Sequence, residues 1–164
     1  MNQPNPYAPP QADVEPATVA TPASPPLWNP NAAACWSLVF TPVFGAFLHM
    51  KNWEALGEPQ KAAGARSWAI GVLTFIVVAA IASGIWAESK ALDGLSRIAG
   101  LILLIAWYYA SGKPQQGYVL ARFGKNYPRR GWAKPLLLAV VAVVGFVVAL
   151  GVVGFVIGLA TSVE

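Results

Sequence analysis

The fold class this sequence predicts is all-α: a polytopic helical membrane protein of about four transmembrane helices. Three observations predict it. The chain of 164 residues is 56% hydrophobic and only 11% charged, where a soluble domain carries about 25% charged residues. Its mean hydropathy is +0.52, so it has too little polar surface to cover a water-facing globule. Its apolar stretches are long, uncharged and bordered by tryptophan.

The elements follow in order. Residues 1–30 hold nine of the 14 prolines, and proline lacks the N–H that helices and sheets need. This predicts a disordered or polyproline-like tail. Pro6-Tyr7-Ala8-Pro9 and Pro22-Ala23-Ser24-Pro25 have the spacing of an SH3-type ligand, but a flexible tail is the stronger reading. Residues 31–164 form the helical membrane domain. Its first apolar stretch, residues 32–50, has 19 residues without formal charge. At about 1.5 Å per residue it just covers a hydrocarbon core of about 30 Å. Pro42 stands in its middle, which allows a kinked span or a re-entrant hairpin turning near Thr41, Pro42 and Gly45. The span count is then three instead of four. No basic residue precedes Lys51, so the segment reads as retained and not as a cleaved signal peptide.

The polar linker from Lys51 to Arg66 is too sparse in apolar residues for a span and suits a short surface helix. Residues 68–86 form the second span, with Trp68 and Trp86 at its ends. The third, residues 92–110, reaches full length only by including Leu95 and Arg97, whose guanidinium can snorkel to the head groups. A basic loop, residues 111–135, comes next. The last span, residues 136–162, has 27 uncharged residues. Its helix of about 40 Å exceeds the hydrocarbon core, so tilt or projection is expected.

Charge sets the expected sidedness. The tail has no Lys or Arg, the first linker three, the link at residues 87–97 two, and the loop before the last span six: Lys113, Arg122, Lys125, Arg129, Arg130 and Lys134. Basic residues concentrate in cytoplasmic loops, which places both basic loops inside. With four spans both termini face out. With a re-entrant first segment the tail moves to the cytoplasm and the other loops keep their sides. Trp36, Trp53, Trp68, Trp86, Trp107 and Trp132, with Tyr108, Tyr109 and Tyr127, fall near the expected span ends, where amphipathic rings favour the interface.

Chemistry is sparse. The spans hold no Asp, Glu, Lys or His at mid-depth, which counts against an ion-coupled carrier. No phosphate loop, carboxylate pair or Ser/His/Asp set appears, so no enzyme, catalytic residue or cofactor is expected. His49 has no ligand companions, so no metal is expected either; it reads as an interfacial residue at a helix end. The single cysteine, Cys35, reads as a small buried apolar residue. The six basic residues of the loop are the candidate contacts for anionic lipid or an acidic protein partner, at about 1 kcal/mol each near a membrane surface. Tyr118, Phe123, Tyr127 and Trp132 interleave them in the manner of single-strand nucleic-acid binders, but topology explains the charge, so no nucleic acid is expected. Gly151, Gly154 and Gly158 share one helix face suited to close packing, either against the chain's own spans or in a homo-oligomer.

The tail NPYAPPQADV (Asn5 to Val14) looks like those of many small proteobacterial membrane proteins. LWNPNAAACWSLVFTPVFGAFLHMKNWEALG (Leu27 to Gly57) resembles one uncharacterised group of small proteobacterial inner-membrane proteins, with an NPYAPP-type tail and an NWxxLG segment. With YPRRGWAKPL the likeness covers most of the chain. It implies a bacterial inner-membrane location and carries over no catalytic or binding residue. The expected function is that of a non-enzymatic, multi-pass inner-membrane protein acting through protein or lipid contacts. One concrete form is an immunity protein against a membrane-acting toxin. The alternative is a small channel or transporter subunit.

Overall fold

The computed structural model describes residues 23–86 and 88–161. Expectations for the tail before residue 23 and for the last residues of the chain lie outside that range. The described chain is all-α: α1 (Pro30–Ala55), α2 (Pro59–Ile85), α3 (Lys90–Trp107), a π turn (Tyr108–Gly112), α4 (Lys113–Phe123) and α5 (Ala133–Thr161). Four helical units are long and apolar enough to cross a membrane: α1, α2, the continuous α3–α4 rod and α5. The one β pairing among the described residues is an isolated parallel bridge, Leu27 to Arg129.

Although α1 has the length and composition of a span, it is folded in half. A straight helix of its 26 residues would measure about 39 Å. Yet His49 Nε2 lies 3.2 Å from the Pro30 carbonyl oxygen, and Trp28 N donates to Asn52 Oδ1 at 3.0 Å. Ser37 and Gly45, each four residues from Thr41, meet across the fold. The hinge has a local cause. Thr41 takes φ 71° and ψ 162°, a region nearly confined to glycine. Pro42 follows it, and a residue before proline is pushed away from helical geometry. Pro42 has no N–H to lose at the first position of the returning arm. Each arm is short: Pro30 to Phe40 spans about 16 Å, roughly half a hydrocarbon core. The geometry is that of a hairpin, the second of the two forms the Pro42 segment allows, in an element whose length and composition keep it among four candidate spans. Residues 23–30 therefore leave the fold on the same side as the α1–α2 and α4–α5 connections.

Other expectations are corrected. The ordered structure begins before residue 31, because Leu27 is 0% exposed among Val119, Phe123 and Tyr127. The Lys51 to Arg66 linker is largely helical. It shrinks to residues 56–58, where Gly57 (φ +72°) makes the turn. The 111–135 loop is likewise helical through Lys113–Phe123, and extended structure begins only at Gly124 (φ +67°). His49 and Trp107 are not interfacial; both are 0% exposed. Tyr127 is buried as well, and Cys35 is exposed where burial was expected.

The hairpin is the hub of the packing. It lies chiefly against α2 and also meets α3, the π turn and α4. The Trp107 ring enters it so closely that a Cβ on Gly45 would overlap both that ring and Ser37 Oγ. By contrast, α5 is buried at Pro135 and Ala139 near its start, half-buried at Leu136 and Phe146, and exposed at its other described side chains. A Cβ on Gly151 or Gly154 would meet nothing within 4 Å. Packing of those glycines against the chain's own spans is absent, because α5 stands away from them. The surroundings of Gly158 lie outside the described residues.

Candidate functional site

The hairpin fold gathers the basic residues at one end of the molecule. Lys51 lies near the end of α1, and Lys61 and Arg66 lie in the first turns of α2. Lys113 opens α4, Arg122 closes it, Lys125, Arg129 and Arg130 lie in the connection, and Lys134 is in the first turn of α5. Lys90 and Arg97 are at the opposite end of α3, where Arg97 pairs with Asp93 at 2.9 Å.

The connection is not a loose loop. Leu27 N donates to the Pro128 carbonyl at 3.0 Å, and Arg130 N donates to the Leu27 carbonyl at 2.8 Å. Trp28 Nε1 donates to the Gly131 carbonyl at 3.0 Å. Behind this clasp is a buried amide relay. The Asn52 side chain accepts from Trp28 N and donates from Nδ2 to the Trp28 carbonyl at 2.8 Å, so it pairs with the backbone as a strand would. Its Nδ2 also donates to Gln115 Oε1 at 3.3 Å, and Gln115 Nε2 donates to the His49 carbonyl at 2.8 Å. These bonds join the chain before α1, the returning arm of the hairpin, and α4. Buried polar groups need such partners, and these fix where the basic segment sits.

Among the described residues, none of the six basic residues singled out in the sequence lies within ion-pair distance of a carboxylate. Four rest on aromatic rings instead. Lys113 lies 5.4 Å from the Tyr109 centroid, Arg122 5.7 Å from Tyr118, Arg129 5.5 Å from Tyr127 and Arg130 4.7 Å from Trp28. Ring faces attract cations without cancelling their charge. Lys113, Arg122, Lys125, Arg129 and Lys134 are exposed, and Arg130 is half-buried against Trp28. Burial pushes the Tyr127 hydroxyl pKa up, against the opposing influence of Arg129. The structure thus holds Arg122 at the end of α4 and Lys125, Arg129 and Arg130 in the clasped connection that follows, with Lys113 at the start of α4 and Lys134 at the start of α5.

A second cluster was missed in the sequence. Lys61 Nζ stands 4.9 Å from the Trp53 centroid and 4.3 Å from that of Tyr118. Tyr118 Oη donates to Glu58 Oε1 at 2.7 Å and accepts from Arg122 Nη1 at 2.6 Å. Glu58 also pairs with Lys61 at 3.3 Å. The Tyr118 hydroxyl, then Lys61, hold the Glu58 carboxyl below its ordinary pKa. The NWxxLG segment places Trp53 here, but nothing in its spacing points to Tyr118, which is 60 residues from its partner Glu58. Among the described residues, no three His, Cys, Asp or Glu side chains gather into a metal-ligating group. No family model, curated protein or solved structure matches the chain.

Proposed function

We propose that this protein is a non-enzymatic, multi-pass protein of the bacterial plasma membrane that grips anionic lipid with its basic, aromatic-supported face on the cytoplasmic side. The observation that carries the reading is the uncompensated charge. Six cations collect at one end of the helices, four of them stand on aromatic rings, and among the described residues no carboxylate is within ion-pair reach of them. A face that existed only to set topology would need the charges. It would not need the Leu27–Trp28 clasp or the amide relay that hold them in register. Nine basic residues on one side against two on the other support a cytoplasmic position for that side. The hairpin brings residues 23–30 there too.

The test replaces Arg122, Lys125, Arg129 and Arg130 with glutamine in the full chain. Lys113, Lys134 and the three basic residues around the α1–α2 turn still specify orientation. The amount of phosphatidylglycerol retained per chain after purification is measured at low and high salt. The variant should insert normally and lose lipid, with a summed effect of at most about 4 kcal/mol that shrinks as salt rises. Equal retention by variant and wild type at both salt concentrations contradicts the reading.

A further inference from the structure

Between α2 and the α3–α4 rod runs a groove that the basic face does not account for. Its α2 wall is one helical stripe, Lys61, Gly64, Trp68, Gly71, Val72 and Phe75, at spacings of three and four. The opposite wall is Leu103 at depth and Ala110, Ser111, Pro114 and Tyr118 toward the mouth. Two open clefts of about 450 and 600 Å³ share Gly64 and Trp68, so they adjoin along α2. Each is of ligand size, within the usual range of about 300–1,000 Å³. The deep end closes where Phe75 approaches Gly100 at 3.9 Å from its ideal Cβ position. Gly64 and Gly71 present no side chain, and a Cβ on either would meet nothing within 4 Å. From Lys61 to Phe75 the groove runs about 21 Å, enough to pass from the head groups through one leaflet of about 15 Å.

The two ends differ in chemistry. The deep part, from Gly71 to Phe75 and Leu103, is apolar. An unfilled apolar volume forfeits dispersion contacts, and the molecules that surround these helices in a bilayer are lipid tails. The mouth carries Lys61, held between Trp53 and Tyr118, and Arg122 on the Tyr118 hydroxyl. Lys113 precedes the lining residue Pro114. The carboxylate facing this mouth is Glu58, paired with Lys61, so the three cations leave an excess of positive charge.

We propose that the α2/α3–α4 groove is a binding site for one anionic glycerophospholipid, with an acyl chain along Gly64, Gly71 and Leu103 and the head-group phosphate at Lys61. The site rests on the reading that the basic end faces head groups; it shares Arg122 with the basic face at its mouth and is separate from Lys125, Arg129 and Arg130.

The experiment uses the purified full chain in detergent micelles. Binding of dioleoyl phosphatidylglycerol and dioleoyl phosphatidylcholine is counted per chain by native mass spectrometry. The wild type should hold one phosphatidylglycerol in preference to phosphatidylcholine. Lys61→Gln should lower that preference about fivefold, the share of one basic residue at an anionic surface. Gly64→Leu with Gly71→Leu, which fills the groove, should remove the one tightly held phosphatidylglycerol and leave only the salt-sensitive lipid of the basic face. Should the double variant fold poorly, phosphatidylglycerol with a photoactivatable acyl chain is cross-linked to the wild type. The cross-links should fall on Gly71, Val72 and Leu103 and not on α5. Cross-links spread evenly over α5 and α2, no preference in the wild type, or unchanged binding by the filled variant would each overturn the site. If the filled variant binds as wild type while the four-glutamine variant loses lipid, the groove fails and the basic-face reading stands. If both bind as wild type, both fail.

Discussion

At the scale of single residues, the fold depends on polar groups that the sequence presents as unremarkable. Asn52 satisfies both backbone groups of Trp28 and part of Gln115. Asn52→Ala should strand those partners away from water and cost about 1–3 kcal/mol, read as a lower melting temperature in detergent. Asn52→Asp keeps the acceptor for Trp28 N and loses the donor to its carbonyl, so it should also destabilise the fold. Glu58 makes a different kind of contribution. Tyr118 and Lys61 lower its pKa in the folded chain, so the folded state favours the carboxylate relative to the unfolded chain. Its stabilisation is therefore present above the ordinary carboxylate pKa and is lost as pH falls through the lowered value. Glu58→Gln should abolish that part of the acid sensitivity, which paired melting curves from neutral to acidic pH would show. Melting curves of equal slope against pH would remove Glu58 from the account.

At the scale of elements, the hairpin decides the architecture, and its legibility was uneven. The hinge was visible in the sequence: Thr41, Pro42 and Gly45 within an uncharged stretch admit a turn. Its outcome was not, because the choice between a kink and a full reversal rests on partners far away in the chain. Trp107 enters at Gly45, and Asn52 meets Gln115 63 residues on. The same distance effect misled the reading of His49 and Trp107. Their types and positions suit an interface, and only tertiary contact with the folded-back arm buries them. The end of α2 and the starts of α3 and α5 were readable within a few residues because charge and tryptophan mark where apolar runs end, whereas α2 begins at Pro59, well before Trp68, and the α3–α4 rod runs past residue 110 to Phe123. The helix in the basic segment was missed because Lys113–Phe123 has few apolar residues and depends on Val119 and Phe123 packing under Leu27. Thr41 gives the element a direct test. Its backbone lies in a region that costs a non-glycine residue about 1–3 kcal/mol, so Thr41→Gly should raise the melting temperature. Gly45→Ala should do the opposite, by about 1–3 kcal/mol, since the added methyl collides with Ser37 and Trp107. Gly145→Ala on open α5 is the control. It should be neutral or stabilising by up to about 1 kcal/mol, since a Cβ there meets nothing within 4 Å.

At the scale of the whole molecule, one asymmetry organises everything: a charged, aromatic end and an apolar remainder. Six basic residues of one segment were legible as a topological signal. Their seating on Tyr109, Tyr118, Tyr127 and Trp28 was not, because Trp28 sits in a proline-rich stretch that reads as tail. The central claim is that α1 turns back, so that residues 23–30, the α1–α2 turn and the basic segment share one face of the membrane. Single cysteines at Ser24, Glu88 and Gly124, in a Cys35→Ala background, test it in sealed right-side-out vesicles with an impermeant maleimide. The account predicts that Glu88→Cys labels from outside, while Ser24→Cys and Gly124→Cys both stay shielded until the vesicles are lysed. Labelling of Ser24→Cys from outside, with Gly124→Cys still shielded, would mean that α1 crosses the membrane and would contradict the hairpin.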